Sequence, residues 1–240
     1  MKIKIILLIL VFGLGMTFPL VGNSQVLMSL IFGDKLNSED NLFGIHLNES
    51  LNTISNFEPS QSTSSFNLGL FFSKRMNDKW MLNLEMLAKY RRGANEIPAY
   101  SLGDENLDQL FQNTSVTREI NYLSLPLSAR YFLGERFFLE AGPQISLRTG
   151  AKDIFESSED KDILSYKKDI RDQVNRWDFG YLTGIGFMIG KDQVNTLGIR
   201  HHESWSDVLI EEPGKQTNSQ WALFVNLPIG RGKMKSAEKE

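Results

Sequence analysis

Tyr122–Leu133 (YLSLPLSARYFL), the turn Gly134–Arg136, and Phe137–Arg148 (FFLEAGPQISLR) decide the fold. Successive strand side chains point to opposite faces, so a half-buried strand alternates every second residue. In the second segment Phe137, Leu139, Ala141, Pro143, Ile145 and Leu147 fall on one face. Phe138, Glu140, Gly142, Gln144, Ser146 and Arg148 fall on the other. The first segment sets Leu123, Leu125, Leu127, Ala129, Tyr131 and Leu133 against Ser124, Pro126, Ser128 and Arg130. Each alternates for longer than the usual five or six residues of a soluble sheet. A tilted strand of about ten residues crosses a bilayer.

Working outward, Trp80–Arg91 repeats the pattern, with Trp80, Leu82, Leu84, Met86, Ala88 and Tyr90 on its apolar face. Asn83, Glu85, Lys89 and Arg91 lie opposite, and Leu87 is the exception. Five further segments read as strands: Leu42–Leu51, Phe66–Arg75, Phe179–Ile189, Thr196–Trp205 and Trp221–Leu227. The connections alternate in length. Met76–Lys79, Gly134–Arg136 and Gly190–Val194 are short, whereas Thr53–Ser64, Arg92–Val116, Lys152–Arg176 and Ser206–Ser219 are long. Tight turns on one side and long loops on the other are the pattern of an outer-membrane barrel. The expected fold is all-β: an eight-stranded antiparallel up-and-down transmembrane β-barrel with short periplasmic turns and long extracellular loops.

The N-terminus agrees with export. Lys2 and Lys4 precede an apolar run from Ile5 to Gly15, and Gly22 and Ser24 give small residues before Gln25. This reads as a cleaved signal peptide over residues 1–24, too short for a spanning helix. A periplasmic segment is expected at 25–41, the barrel at 42–229 and a polar tail at 230–240. Cysteine is absent, which excludes both disulfides and a lipoprotein anchor. The net charge of −3 offers no basic field for nucleic acid.

Two architectures share this alternation. An inward apolar face makes a soluble periplasmic lipid-binding barrel, with Leu84, Leu125 and Ile145 lining a pocket. An outward apolar face makes a membrane barrel whose narrow lumen holds Arg75, Glu85, Lys89, Arg91, Arg130, Glu140, Arg148 and Arg200 as paired charges. Aromatic residues near strand ends (Trp80, Tyr90, Tyr131, Phe137, Trp205, Trp221) suit interfacial girdles. With the loop rhythm, they favour the membrane barrel.

The run Asn121–Tyr131, followed after its turn by Phe137–Gln144 with Gly142-Pro143-Gln144, resembles the PorT-like outer-membrane β-barrel family of Bacteroidetes. Asp178–Phe187 and Leu197–Arg200 are similar to that family's next two strands. The resemblance implies an eight-stranded outer-membrane barrel with both ends in the periplasm, and no particular activity. The family's founding member is associated with protein secretion, which suggests an accessory role in secretion as an alternative. Where many such barrels end on an aromatic residue, this chain continues from Gly230 to Glu240 as a polar tail.

One cluster is rich in catalytic residue types: His201-His202-Glu203-Ser204-Trp205-Ser206-Asp207. A serine nucleophile needs a histidine base, so a lipid-modifying enzyme is a further alternative. Yet His202 and Ser204 are merely same-face neighbours, and no Gly-x-Ser-x-Gly elbow exists. With His46 the only other histidine, no metal set is expected. The acidic run Glu156–Asp162 lacks calcium-loop spacing and reads as a solvated tip. No catalytic, cofactor or metal residue is assigned, and no enzyme activity is expected. Recognition is expected in the long loops. Tyr100, Leu102, Leu107, Leu110 and Phe111 can lid the mouth or meet a partner protein. Lys161, Lys167, Lys168 and Arg171 can meet lipopolysaccharide phosphates. The expected partners are membrane lipids and an envelope protein, in a structural or interaction role without general porin activity.

Overall fold

The computed structural model describes residues 38, 40–57, 59–159, 162–190, 193–210 and 212–229. The expected signal peptide, most of the 25–41 segment, the 230–240 tail and Lys161 lie outside them. Among the described residues nine strands form: β1 (Asn41–Ile54), β2 (Thr63–Arg75), β3 (Trp80–Pro98), β4 (Ser115–Phe132), β5 (Phe137–Glu159), β6 (Asp162–Asp169), β7 (Trp177–Ile189), β8 (Asn195–Ser204) and β9 (Asn218–Pro228). One short helix, α1 (Glu105–Phe111), sits between β3 and β4. Every ring pairing is antiparallel, running β1-β2-β3-β4-β5-β7-β8-β9 and closing β9 onto β1. Closure leaves no free edge within the ring of eight.

The ninth strand was not expected. Lys152–Glu159 of β5 continues above the ring and pairs with β6 as a hairpin. The segment expected as an open loop from Lys152 is therefore ordered sheet, because the β5 backbone runs past the last β7 partner and must satisfy its polar groups. The stretch expected as loop from Arg92 is likewise β3 as far as Pro98. Of the four long connections, Lys152–Arg176 is largely sheet and Arg92–Val116 begins as sheet, whereas Thr53–Ser64 and Ser206–Ser219 carry strand only at their ends.

The direction of the apolar face is settled by burial. Leu84, Leu125 and Ile145 are 47%, 46% and 44% exposed. The soluble-cup alternative required them inside and does not hold. Trp80, Phe137, Trp205 and Trp221 also face outward, as a girdle does. Tyr90 does not: it is 2% exposed, and Lys89 is exposed instead. A bulge explains the reversal. Leu87 lies opposite Ser124 but Tyr90 opposite Tyr122, so β3 carries an extra residue there and its faces exchange. Arg91 is correspondingly turned from the lumen and pairs with Glu119 outside, and Arg92 turns in.

The lumen is filled in layers. At the turn end Phe71, Met81, Phe132, Phe138, Met188 and Phe224 pack together. Glycines on β7 and β8 make room for these rings. A Cβ at Gly186 would lie 2.2 Å from the Phe138 ring, and one at Gly198 would lie 2.6 Å from that of Phe224. Gly186→Ala is expected to cost about 1–3 kcal/mol by overpacking. Phe138→Leu in the same chain should recover most of that, as read from urea midpoints of the refolded barrel.

Candidate functional site: the lumen and the loop-side mouth

Above the ring layer sits a closed set of ion pairs. Arg200 on β8 donates from Nε to Glu140 Oε1 at 2.7 Å. Its Nη1 and Nη2 donate to the two Glu85 oxygens at 2.7 and 2.8 Å. Arg130 Nε donates to Glu140 Oε2 at 3.0 Å. Two carboxylates thus face two guanidiniums, all four buried. The sequence placed these four in the lumen, and the structure brings them together. Their rings of contact continue onto Phe138 and Phe224, which the two guanidiniums cover at 4.7 and 4.5 Å. His46 lies beside them, with Asn48 donating to its Nε2 at 2.9 Å and its Nδ1 2.7 Å from the Asn226 side-chain amide.

Next comes an amide and hydroxyl layer from β1, β2 and β9. Asn67 donates to Asn48 and Ser50, and Gln220 donates to Ser50 and Asn52. Higher still, Arg92 reaches Asp178 at 2.9 Å and Ser146 at 3.1 Å, sandwiched between Tyr90 and Tyr122. Polar groups taken out of water must be paired in this way, and the layers meet that demand largely within the protein.

The histidine–serine cluster divides across the wall. His202 and Ser204 face the lumen, and His201 faces outward against Trp221 and Ser219. Ser204 Oγ donates to Asp178 at 2.6 Å, and His202 makes no hydrogen bond. No histidine is aimed at that hydroxyl. His46 does not join them: no group of three or more metal-binding side chains occurs among the described residues.

The mouth is closed by apolar packing. Ile97, Phe111, Val116, Ile120, Phe155 and Leu209 belong to one buried cluster. Helix α1 carries Phe111 into it, edge-on to Phe155 at 5.9 Å. Of the readings left open for this connection, a lid or a partner contact, the packing fits the lid through Phe111, with Tyr100, Leu102 and Leu107 partly buried against the cluster. Leu110 instead stays exposed. The helix begins at Asp104, whose side chain accepts from the Asn106 and Leu107 N–H groups. Asp108 pins the preceding turn, accepting from Ser101 Oγ and Leu102 N–H at 2.6 Å each. The Ser101 hydroxyl, then the Leu102 N–H, hold its carboxyl below the ordinary range. A depressed carboxylate supports the fold above its unfolded pKa and loses that support as pH falls through the folded value. Asp108→Asn is therefore expected to imitate acid at neutral pH, with faster hydrogen exchange confined to residues 101–108.

A cavity of about 450 Å³ opens beside this lid, between Phe57, Ile97, Tyr100, Arg118, Lys168 and Leu209. Asp153 organises its floor. It takes Arg118 Nε and Nη2 at 2.8 and 2.7 Å and the Tyr100 hydroxyl at 2.7 Å. Burial, and then Asp153, push the Tyr100 phenol above its usual pKa. Arg118 covers Phe57 at 5.0 Å and Lys168 covers Tyr100 at 4.6 Å. Of the other loop cations, Arg171 is taken by Asp169 and Lys167 is exposed. Glu156 to Glu159 pair with Asp162 to Ser165 at the tip end of the β5–β6 hairpin, so the described part of the acidic run is strand. The Arg118–Asp153–Tyr100 set was missed from sequence.

A closed ring of eight antiparallel strands with an apolar outside and a polar, filled inside is an outer-membrane β-barrel. The model of the outer membrane protein beta-barrel domain family matches residues 41–206, and the chain belongs to that family. It is an outer-membrane protein. No curated protein matches it in sequence. Among solved structures it is similar to Ail, the attachment invasion locus protein of Yersinia pestis, in complex with the heparin analogue sucrose octasulfate. Identity there is 14%, over 78% of this chain and 97% of that one, with a TM-score of 0.41. It is also similar to Neisserial surface protein A, at 13% identity over 78% and 96% of the chains and a TM-score of 0.42. OprG from Pseudomonas aeruginosa is a third, at 11% identity over 78% and 93% and a TM-score of 0.36.

Proposed function

We propose that this barrel serves the envelope as a non-conducting interaction protein whose working surface is its extracellular end. The observation that carries the reading is the layered lumen. Apolar rings at the turn end, the Glu85–Glu140–Arg130–Arg200 set, the amide layer and the apolar mouth leave the interior to side chains. A wall so filled supports neither solute passage nor a lipid cavity, and it holds the loop-side surface rigidly. That surface carries Leu110, Leu164 and Ile210 exposed beyond the ring. We read the chain as non-enzymatic, since Ser204 is committed to Asp178 inside the wall.

The motif order from Asn121 to Arg200 supports a second, narrower reading: a PorT-like barrel acting as an accessory of protein secretion. A photo-cross-linking residue at Leu110 or Ile210, compared with one at Lys79 on a short turn, separates the two. Extracellular-end adducts are expected under the first reading. Adducts from Lys79 alone, with a periplasmic partner, would replace it with the second. We also propose cleavage after Ser24, so the mature protein should begin at Gln25 in N-terminal sequencing.

A further inference from the structure

The outward face of the ring is apolar, with a conspicuous exception on β1. Glu49 is exposed, with outward Leu47 and Leu51 along its strand. Its cross-strand partners are Phe66 on β2 and Leu223 on β9, both also exposed. A carboxylate ringed by four apolar side chains near the depth of the Trp221 girdle is held against an apolar wall, and a glutamate is too short to snorkel far. Two strands away, the β3 bulge turns Lys89 outward as well, opposite Leu68. Neither charge has an ion-pair partner among the described residues.

Their depth is matched. The hydrogen-bonded row starting at Trp80, beside a short turn, passes through β4, β5, β7, β8 and β9 and arrives at Glu49. Each step round the ring in this direction therefore climbs. With strands tilted about 40°, one step between strands gains about 3 Å of height. From Glu49 the path climbs to Phe66, descends two residues of β2 to Leu68 and climbs again to Lys89. The two charges end about 1 Å apart in depth and about 10 Å apart across β2.

We infer that this wall is the contact between two copies of the chain. A two-fold axis along the membrane normal, placed against Phe66 and Leu68, sets the Glu49 side of one copy against the Lys89 side of the other. The same operation sets Lys89 against Glu49, so the pair forms twice, once on each side of an apolar centre. Such a patch is self-complementary, as an isologous contact must be. A lipid offers the carboxylate no such partner. The occupant is a second copy.

The chain has no cysteine, so Leu68→Cys gives a clean disulfide test in outer membranes. Oxidation is expected to give a covalent dimer, and Ile185→Cys on the opposite wall is expected to give none. Glu49→Lys or Lys89→Glu added to Leu68→Cys should each abolish that dimer, and the two together should restore it. Heat-modifiable electrophoretic mobility confirms that each variant is folded. If a charge reversal fails to insert, Glu49→Gln and Lys89→Gln should still lower the cross-linked fraction. Equal cross-linking at 68 and 185, or a double reversal no better than the single ones, overturns the proposal.

Discussion

Arg200→Met should be among the most damaging single substitutions in this barrel, costing about 3–5 kcal/mol of folding free energy. Arg200 alone bridges Glu85 and Glu140, with three hydrogen bonds at 2.7 to 2.8 Å. Its removal leaves two buried carboxylates to one guanidinium, and Arg130 approaches Glu85 only at 3.9 Å. Methionine keeps volume against Phe224 but supplies no donor. Arg200→Lys keeps the charge and loses the fork, so it should fall between. A double variant, Glu85→Gln with Arg200→Met, should regain part of the loss, because Glu140 keeps Arg130 at 3.0 Å and no unpaired charge remains. Urea unfolding of refolded protein in liposomes, followed by tryptophan emission, reads all three. A loss below about 1 kcal/mol for Arg200→Met would mean that water, not protein, satisfies the carboxylates.

One residue earlier on the same strand, Ile199→Arg should cost about 2–4 kcal/mol for the opposite reason. Ile199 is exposed and sits between outward Ile185 and Leu223. An arginine there faces hydrocarbon, and its neighbours provide no anion. Arginine is thus stabilising at 200 and destabilising at 199, which is the signature of a lumen on one side of β8 and lipid on the other. The same measurement in liposomes checks it. An Ile199→Arg chain as stable as wild type would put water, not lipid, outside the wall.

What was legible from sequence follows from how each feature is encoded. Alternation in Phe137–Arg148 is uninterrupted, so its faces could be read directly, and burial agrees at Glu140, Gln144 and Ser146. In β3 the same reading fails after Leu87, because one bulged residue exchanges the faces of everything beyond it and no composition marks the bulge. The β5–β6 hairpin was missed for a different reason. Its charged residues break the alternation, and only Phe155 and Tyr166 pack on the mouth cluster, too few to mark two strands by period.

The site followed the same division. Arg130 and Glu140 could be placed inside because they lie on uninterrupted alternating segments, and Glu85 because it precedes the β3 bulge; Arg200 lies on a segment that alternates poorly, and the pairing of all four required the closed ring. Arg118 and Asp153 are direct cross-strand partners, so the hairpin itself held the signal. Counting upward from the Phe132–Phe138 pair assigns Arg118 to Lys152. The shift between Asn121 and Tyr122 moves the partner on to Asp153. For Ser204, periodicity gave its face correctly but not its bond to Asp178, which comes from the β7 neighbour.

The central claim is that the lumen is sealed by its own side chains. Purified full-length protein should be reconstituted into planar bilayers and recorded at single-channel resolution, with heat-modifiability proving that it has folded. The predicted result is a flat trace at both polarities, for wild type and for a chain with residues 99–114 replaced by a short glycine–serine link, because the Arg200 layer lies below the mouth. Stable unitary steps in folded wild-type protein would contradict the account and make the lumen a pore.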